Sequence, residues 1–156
     1  MGSLAGREEK REEKEVFAAY LVKNRLKRSE QREVILDAFL RTERHLSVDD
    51  LLHIVQKRRR DIGRTTVYRT LKLLREAGLA SELDLHGETR FEPDYNRAHH
   101  DHFICSSCSD IFEFSSPDIE RLQDEIAAEL GFKIEGHRHQ ILGLCRRCQA
   151  KNEARR

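Results

Sequence analysis

The sequence predicts an α+β chain in two parts: three short helices and a small hairpin, followed by a small α/β unit. Three observations predict it. Apolar residues recur at helical spacing in successive stretches between Ser29 and Ala77. Alternating apolar residues then flank a glycine-containing turn at His86-Gly87-Glu88. Beyond Pro93 the pattern changes to short strands around two Cys-x-x-Cys pairs. The expected division is 1–93, a hinge at 94–98, and 99–156.

Met1 to Gly6 reads as a flexible start. Arg7 to Asn24 is highly charged, with Val16, Phe17, Tyr20 and Leu21 at helical spacing, and predicts a helix with one apolar end. Ser29 is placed to cap the next helix, whose Val34, Ile35, Ala38 and Phe39 share one face. Ser47-Val48-Asp49-Asp50 opens another, with a capping hydroxyl and two carboxylates at its positive end. After a turn at Ile62-Gly63-Arg64, Thr65 starts a helix that buries Val67, Leu71 and Leu74 and stops at Ala77-Gly78. Leu79 to Leu85 and Thr89 to Phe91 form the hairpin. Three helices and a hairpin are the layout of a winged helix-turn-helix, whose third helix reads the major groove. Further on, Phe103 to Cys105 and Ile111 to Phe114 read as strands. Ser116-Pro117 opens a helix that ends at Gly131. Phe132 to Ile134 and His137 to Leu144 read as two more strands.

Composition narrows the function. The chain has 156 residues, 38% apolar and 37% charged. No apolar run approaches the roughly 20 residues of a membrane span. Met1 to Val16 lacks the apolar centre of a secretory signal. Four cysteines without such a signal point to a reducing, cytoplasmic setting and to metal ligation before disulfides. The net charge of +1 hides an asymmetry. Lys23 to Arg75 carries fifteen Lys and Arg against seven Asp and Glu, whereas Asp94 to Arg156 carries nine against eleven. A polyanion partner is therefore expected for the first half alone.

Three motifs carry chemistry. Cys105-x2-Cys108 and Cys145-x2-Cys148 use every cysteine of the chain, and two such knuckles close a tetrahedral thiolate cage of the structural zinc type. His99-His100-Asp101-His102 runs straight into the first knuckle. On a strand His100 and His102 face one way and His99 and Asp101 the other, so one stretch can feed two metal centres. Further ligands can come from His45, Glu92, Glu113, Glu120 and His137. His53, His86 and His139 are read as ordinary polar residues. In the third motif, Arg64, Tyr68 and Lys72 share a helix face, with Thr65, Thr66 and Arg69 close by, and Lys57 to Arg60 supply charge upstream. Arg and Tyr side chains there suit base edges, thymine methyls and phosphates.

Together these residues resemble the ferric uptake regulator (Fur) family of bacterial metal-dependent repressors. The match is carried by His45-Leu46-Ser47-Val48-Asp49-Asp50-Leu51, Thr66-Val67-Tyr68-Arg69-Thr70-Leu71, His99 to Cys105 and the two cysteine pairs, over about Leu26 to Cys148. The resemblance implies a homodimer and a C-terminal α/β dimerisation domain; the sequence leaves dimer and tetramer both open. It places structural Zn(2+) on Cys105, Cys108, Cys145 and Cys148. It places a regulatory site on His45, Glu92, His100, His102 and Glu113, and an additional one on His99, Asp101, Glu120 and His137. DNA contacts fall on Tyr68 and Arg69 and on Lys27, besides Arg64 and Thr66 of the same helix.

The function so implied is repression with Fe(2+) as co-repressor, or Mn(2+) or Zn(2+) in its place, on double-stranded operator DNA. No enzyme activity, membrane or RNA polymerase contact is expected. Peroxide-sensing members of the family carry Asp where this chain has Glu92 and Glu113, so two Glu favour iron; peroxide or zinc sensing is the alternative within the family. Outside it, the alternatives are a metal-buffering protein and a zinc hydrolase. The sequence shows no His-Glu-x-x-His or nucleophile motif for the latter. Gln31 stands where the family often has Pro, and the charged segment Arg7 to Lys23 is a second departure.

Overall fold

The computed structural model describes residues 4–42, 44–85 and 87–154, with side chains from residue 11 onward. Met1 to Ser3, part of the expected flexible start, and His86, placed in the hairpin turn, lie outside the described residues. The chain divides into two compact units, one ending at Arg97 and the other beginning at Ala98. No helix among the described residues is long and apolar enough to cross a membrane.

The first unit holds α1 (Leu4–Lys23), α2 (Glu30–Phe39), β1 (Leu46–Ser47), α3 (Val48–Gln56), α4 (Arg64–Glu76), β2 (Ala80–Leu85) and β3 (Glu88–Pro93). Helix α1 starts earlier than the sequence predicts, taking in Leu4 to Gly6. Its apolar end docks on the core: Phe17 and Leu21 are buried with Ile35, Phe39, Leu51, Val55, Val67, Leu71 and Leu74. Lys14–Asp37 (2.6 Å) and Tyr20–Glu76 (2.6 Å) fasten it to α2 and α4. The charged N-terminal segment is thus part of the winged-helix unit. Ile62, assigned to a turn, is a core residue.

Capping explains where the helices begin. Ser29 Oγ accepts from the Arg32 N–H at α2. At α3, Ser47 Oγ accepts from the Asp50 N–H (3.1 Å), while the Asp50 carboxylate accepts from the Ser47 N–H (3.0 Å) and O–H (2.8 Å). This reciprocal box satisfies donors that helix geometry leaves orphaned. Helix α4 ends at Ala77, and Gly78 follows at φ +73°, the left-handed conformation that a side chain disfavours.

The sheet of this unit has order β1-β3-β2, all antiparallel. Strand β1 is two residues long, too short for any periodic signal, and the sequence reading missed it. Its register matters: Leu46 pairs Phe91 and Ser47 pairs Arg90. One step further along the ladder sets His45 beside Glu92. On the other edge Ser81 pairs Glu92.

The second unit holds β4 (Asp101–Cys105), β5 (Ile111–Phe114), α5 (Pro117–Glu129), β6 (Gln140–Gly143) and α6 (Arg146–Glu153). Its sheet has order β5-β4-β6, with β4 antiparallel to β5 and parallel to β6. Pro117 opens α5 as expected, but Ser116, at the cap position, makes no capping hydrogen bond with its side chain. The strand expected at Phe132 to Ile134 is absent, and the one expected over His137 to Leu144 shrinks to Gln140–Gly143. Phe132 is 75% exposed, so that apolar alternation is not burial inside this chain, and no ladder partner is there to define a strand. Helix α6 was not expected; it buries only Cys148 and so carries no amphipathic stripe.

The capping box gives a pH-dependent prediction. The N–H of Ser47 donating to it holds the Asp50 carboxyl below its ordinary 3.8. A carboxyl depressed in the folded state stabilises above its ordinary pKa, and that contribution is lost as pH falls through the depressed value. Ser47→Ala is expected to cost about 1 kcal/mol at neutral pH. Asp50→Asn should be less stable than the parent at pH 7, with the gap closing as pH falls below 3.8. Urea unfolding followed by circular dichroism across pH reads both effects.

Candidate metal centres and nucleic-acid face

The two knuckles meet within the second unit. The first is a tight turn: the Ser109 N–H donates to Cys105 O (2.9 Å), the Cys105 N–H to Asp110 O (2.9 Å), and Ser109 sits at φ +60°. The second opens α6, with Cys145 at the cap position and the Cys148 N–H donating to Cys145 O (2.9 Å). Parallel pairing of β4 with β6 sets Cys105 against Gly143, which carries the second knuckle to the first. All four thiols are unoxidised, and their sulfurs lie within 4.8 Å of one another. Cys108 Sγ and Cys145 Sγ are 3.7 Å apart. Tetrahedral metal–thiolate bonds of about 2.3 Å put sulfurs about 3.8 Å apart, so the donor set fits a divalent ion. The Cys145 N–H donates to Cys105 Sγ (3.3 Å) and, as the largest cause, pulls that thiol well below its ordinary value.

A second centre lies in the same unit. His99 comes from the segment just before β4, Asp101 from its first position, Glu120 from the first turn of α5, and His137 from the segment before β6. His99 Nε2 is 3.2 Å from Asp101 Oδ1 and 3.5 Å from Glu120 Oε1. His137 Nε2 is 3.7 Å and 3.5 Å from the same two oxygens. Nitrogen and oxygen ligands about 2.0 Å from a tetrahedral metal lie about 3.3 Å apart. Asp101 Oδ2, Glu120 Oε1 and His137 Nε2 are buried and make no hydrogen bond among the described residues. Orphaned polar atoms of this kind are costly in a native fold, and a shared cation satisfies them. The donor set therefore fits a divalent metal.

The other sequence-predicted ligands fall into two sets. In the first unit His45 Nε2 is 3.2 Å from Glu92 Oε2, and Ser81 Oγ donates to Glu92 Oε1 (3.0 Å). Glu92 is only 3% exposed on the central strand. Sequence reasoning missed Arg97, which donates from Nη1 to Glu92 Oε2 (3.0 Å); an arginine in a hinge carries no periodic or motif signal. In the second unit His102 pairs Glu113 across β4–β5, and the His100 and His102 rings are 5.0 Å apart. The contact between His100 Nδ1 and Ala98 O (3.1 Å) requires the proton on Nδ1, because a carbonyl only accepts. His100 Nε2 lies 4.0 Å from Glu113 Oε1. His139, read as an ordinary polar residue, lies with Nδ1 3.6 Å from Asp101 Oδ2.

On α4, Arg64, Tyr68 and Arg69 are exposed and Thr66 is half-buried. Lys27 is exposed ahead of α2. Arg64 pairs with exposed Asp49 (2.8 Å), a contact that water weakens. Lys72 is different. With Arg75 it holds Glu82 of β2, at 2.7 and 2.6 Å. Burial pushes the Glu82 carboxyl up, but these two hydrogen bonds outweigh it and leave the group below its ordinary value. Lys72 thus fastens the helix to the wing while its Nζ lies 5.8 Å over the Tyr68 ring. In the upstream cluster Arg59 is similarly engaged by Asp61 and Glu30, whereas Lys57, Arg58 and Arg60 are exposed.

For the centres of the second unit, Co(II) added to metal-stripped chain should give intense thiolate-to-cobalt charge-transfer absorption. Cys108→Ser should abolish the parental spectrum. Asp101→Ala should leave that spectrum intact and lower bound metal by one ion per chain, read by elemental analysis after desalting. Unchanged stoichiometry in Asp101→Ala contradicts the nitrogen–oxygen site.

The comparisons with known proteins agree on one family. A family model described as the Ferric uptake regulator family matches residues 23–142. The ferric uptake regulation protein of Campylobacter upsaliensis is 38% identical over 143 residues, covering 90% of this chain and 92% of that protein. The structure of the Helicobacter pylori ferric uptake regulator, described as having three functional metal binding sites, aligns with a TM-score of 0.82 at 30% identity, over 90% of this chain and 93% of that one. The Francisella tularensis ferric uptake regulator with iron aligns at 0.72 and 33% identity, over 80% and 95%. The chain belongs to the Ferric uptake regulator family of metal-responsive regulators.

Proposed function

We propose that this protein is a DNA-binding transcriptional repressor with Fe(2+) as co-repressor. The observation that carries the reading is the His45–Glu92 pair, buried in the winged-helix unit at 3.2 Å. A polar pair placed there by strand register has no packing role that two apolar residues would not fill better. His100, His102 and Glu113 complete the proposed regulatory set from the second unit. Cys105, Cys108, Cys145 and Cys148 are assigned structural zinc, and His99, Asp101, Glu120 and His137 an additional ion. The three sets equal in number the metal sites described for the H. pylori relative. Two glutamates at 92 and 113, in place of the aspartates of peroxide sensors, favour iron.

When bound, the regulatory ion supplies a charge that ligands of both units can share. His45 and Glu92 then hold the winged-helix unit, and His100, His102 and Glu113 the other, in one arrangement out of the many that a hinge allows. Tyr68 and Arg69 of each copy enter successive major grooves, with Arg64, Thr66 and Lys27 beside them. Dimerisation falls to the second unit, where α5 buries no residue within the chain and Leu122, Ile126, Leu130 and Phe132 are exposed.

Fluorescence anisotropy of the zinc-loaded protein on an iron-box duplex, at fixed salt and without oxygen, tests the reading. Binding should appear with Fe(II) or Mn(II) and fall at least about tenfold in His102→Ala, the scale of one lost ligand. Arg69→Ala should weaken DNA binding with metal binding intact. Binding driven by Zn(II) alone would reassign the signal to zinc, and no binding with any metal would refute repression.

A further inference from the structure

We propose that Arg97 is a built-in competitor for the regulatory metal. The inference rests on the assignment of His45 and Glu92 as ligands. In this structure the arginine guanidinium and the imidazole meet the same oxygen: Glu92 Oε2 lies 3.0 Å from Arg97 Nη1 and 3.2 Å from His45 Nε2. The other oxygen, Oε1, accepts from Ser81. The carboxylate is 3% exposed while the Arg97 side chain is 37% exposed. A buried carboxylate needs a cation, and Arg97 supplies one from the protein's own chain.

A divalent ion ligated by Glu92 Oε2 and His45 Nε2 would have the guanidinium as a like charge within a few ångströms. Arg97 must therefore leave Oε2 for the site to fill. Its reach to solvent, and its place as the last residue of the first unit, let it do so without disturbing the core. Arg97 stabilises the metal-free state and thereby raises the metal concentration at which the site fills. A second contact, from Nη1 to Pro93 O (3.3 Å), positions the head group over Glu92 in that state.

The test uses Mn(II) and the full, zinc-loaded chain, with the free ion read by electron paramagnetic resonance. Arg97→Gln removes the competing charge and should tighten Mn(II) binding by roughly tenfold or more, the scale of one charge-assisted hydrogen bond. Arg97→Lys keeps the charge and should stay near the parent. The gain should vanish in a His45→Ala background. If Arg97→Gln leaves affinity unchanged or weaker while His45→Ala weakens it, the competitor role is overturned and the ligand assignment stands. If His45→Ala binds Mn(II) as the parent does, the ligand assignment fails, and the proposal with it.

Discussion

The second unit depends on the meeting of its four thiols, Cys105, Cys108, Cys145 and Cys148. That unit is roughly sixty residues long, a size at which a hydrophobic core alone rarely suffices. Among the described residues of this unit, Ile104, Cys105 and Cys148 are its buried apolar side chains, and two of those three belong to the four-thiol cluster. Strand β4 is the hub. Its C-terminal end carries Cys105, its first two positions are Asp101 and His102, and its start is preceded by His99 and His100. Whatever fixes Cys105 against the second knuckle therefore fixes the strand from which the other candidate ligands are presented. The thiolate cage is structural in the strict sense that other sites are built on the strand it anchors.

The first unit is organised on the opposite principle. It has a continuous apolar core of helix and strand residues, and its polar centre is an exception inside that core. Glu92 and His45 are neighbours because a two-residue strand pairs in one register with β3. A slip of one residue would send Glu92 to the other face. Leu46 and Phe91, both buried, lock that register. Apolar packing thus places a polar pair that packing alone would not favour, and Arg97 supplies a cation to its carboxylate.

The helices were legible in the sequence because each announces itself locally. Ser29, Ser47 and Gly78 mark ends, and Ile35, Leu51, Val67 and Leu71 mark faces. The cysteine spacing and the His99 to His102 run were equally legible, since ligand alternation along β4 follows from strand geometry. What was not legible depends on partners distant in the chain. Strand β1 exists only through β3, and helix α6 only through the cage that Cys145 and Cys148 join. Phe132 to Ile134 read as a strand because alternation reports an apolar surface, not what covers it. Charge runs misled in a similar way: Arg59 and Lys72 look available in the sequence, but Asp61, Glu30 and Glu82 engage them. Arg97 was invisible for the same reason, being defined by a contact with Glu92.

The dependence on thiolate closure is open to a direct measurement: hydrogen–deuterium exchange of the full chain before and after chelation of its metal. The account predicts that amides of β4 and β6 lose protection on chelation, while those of α2, α3 and α4 keep theirs. Equal protection of β4 and β6 with and without metal would contradict it.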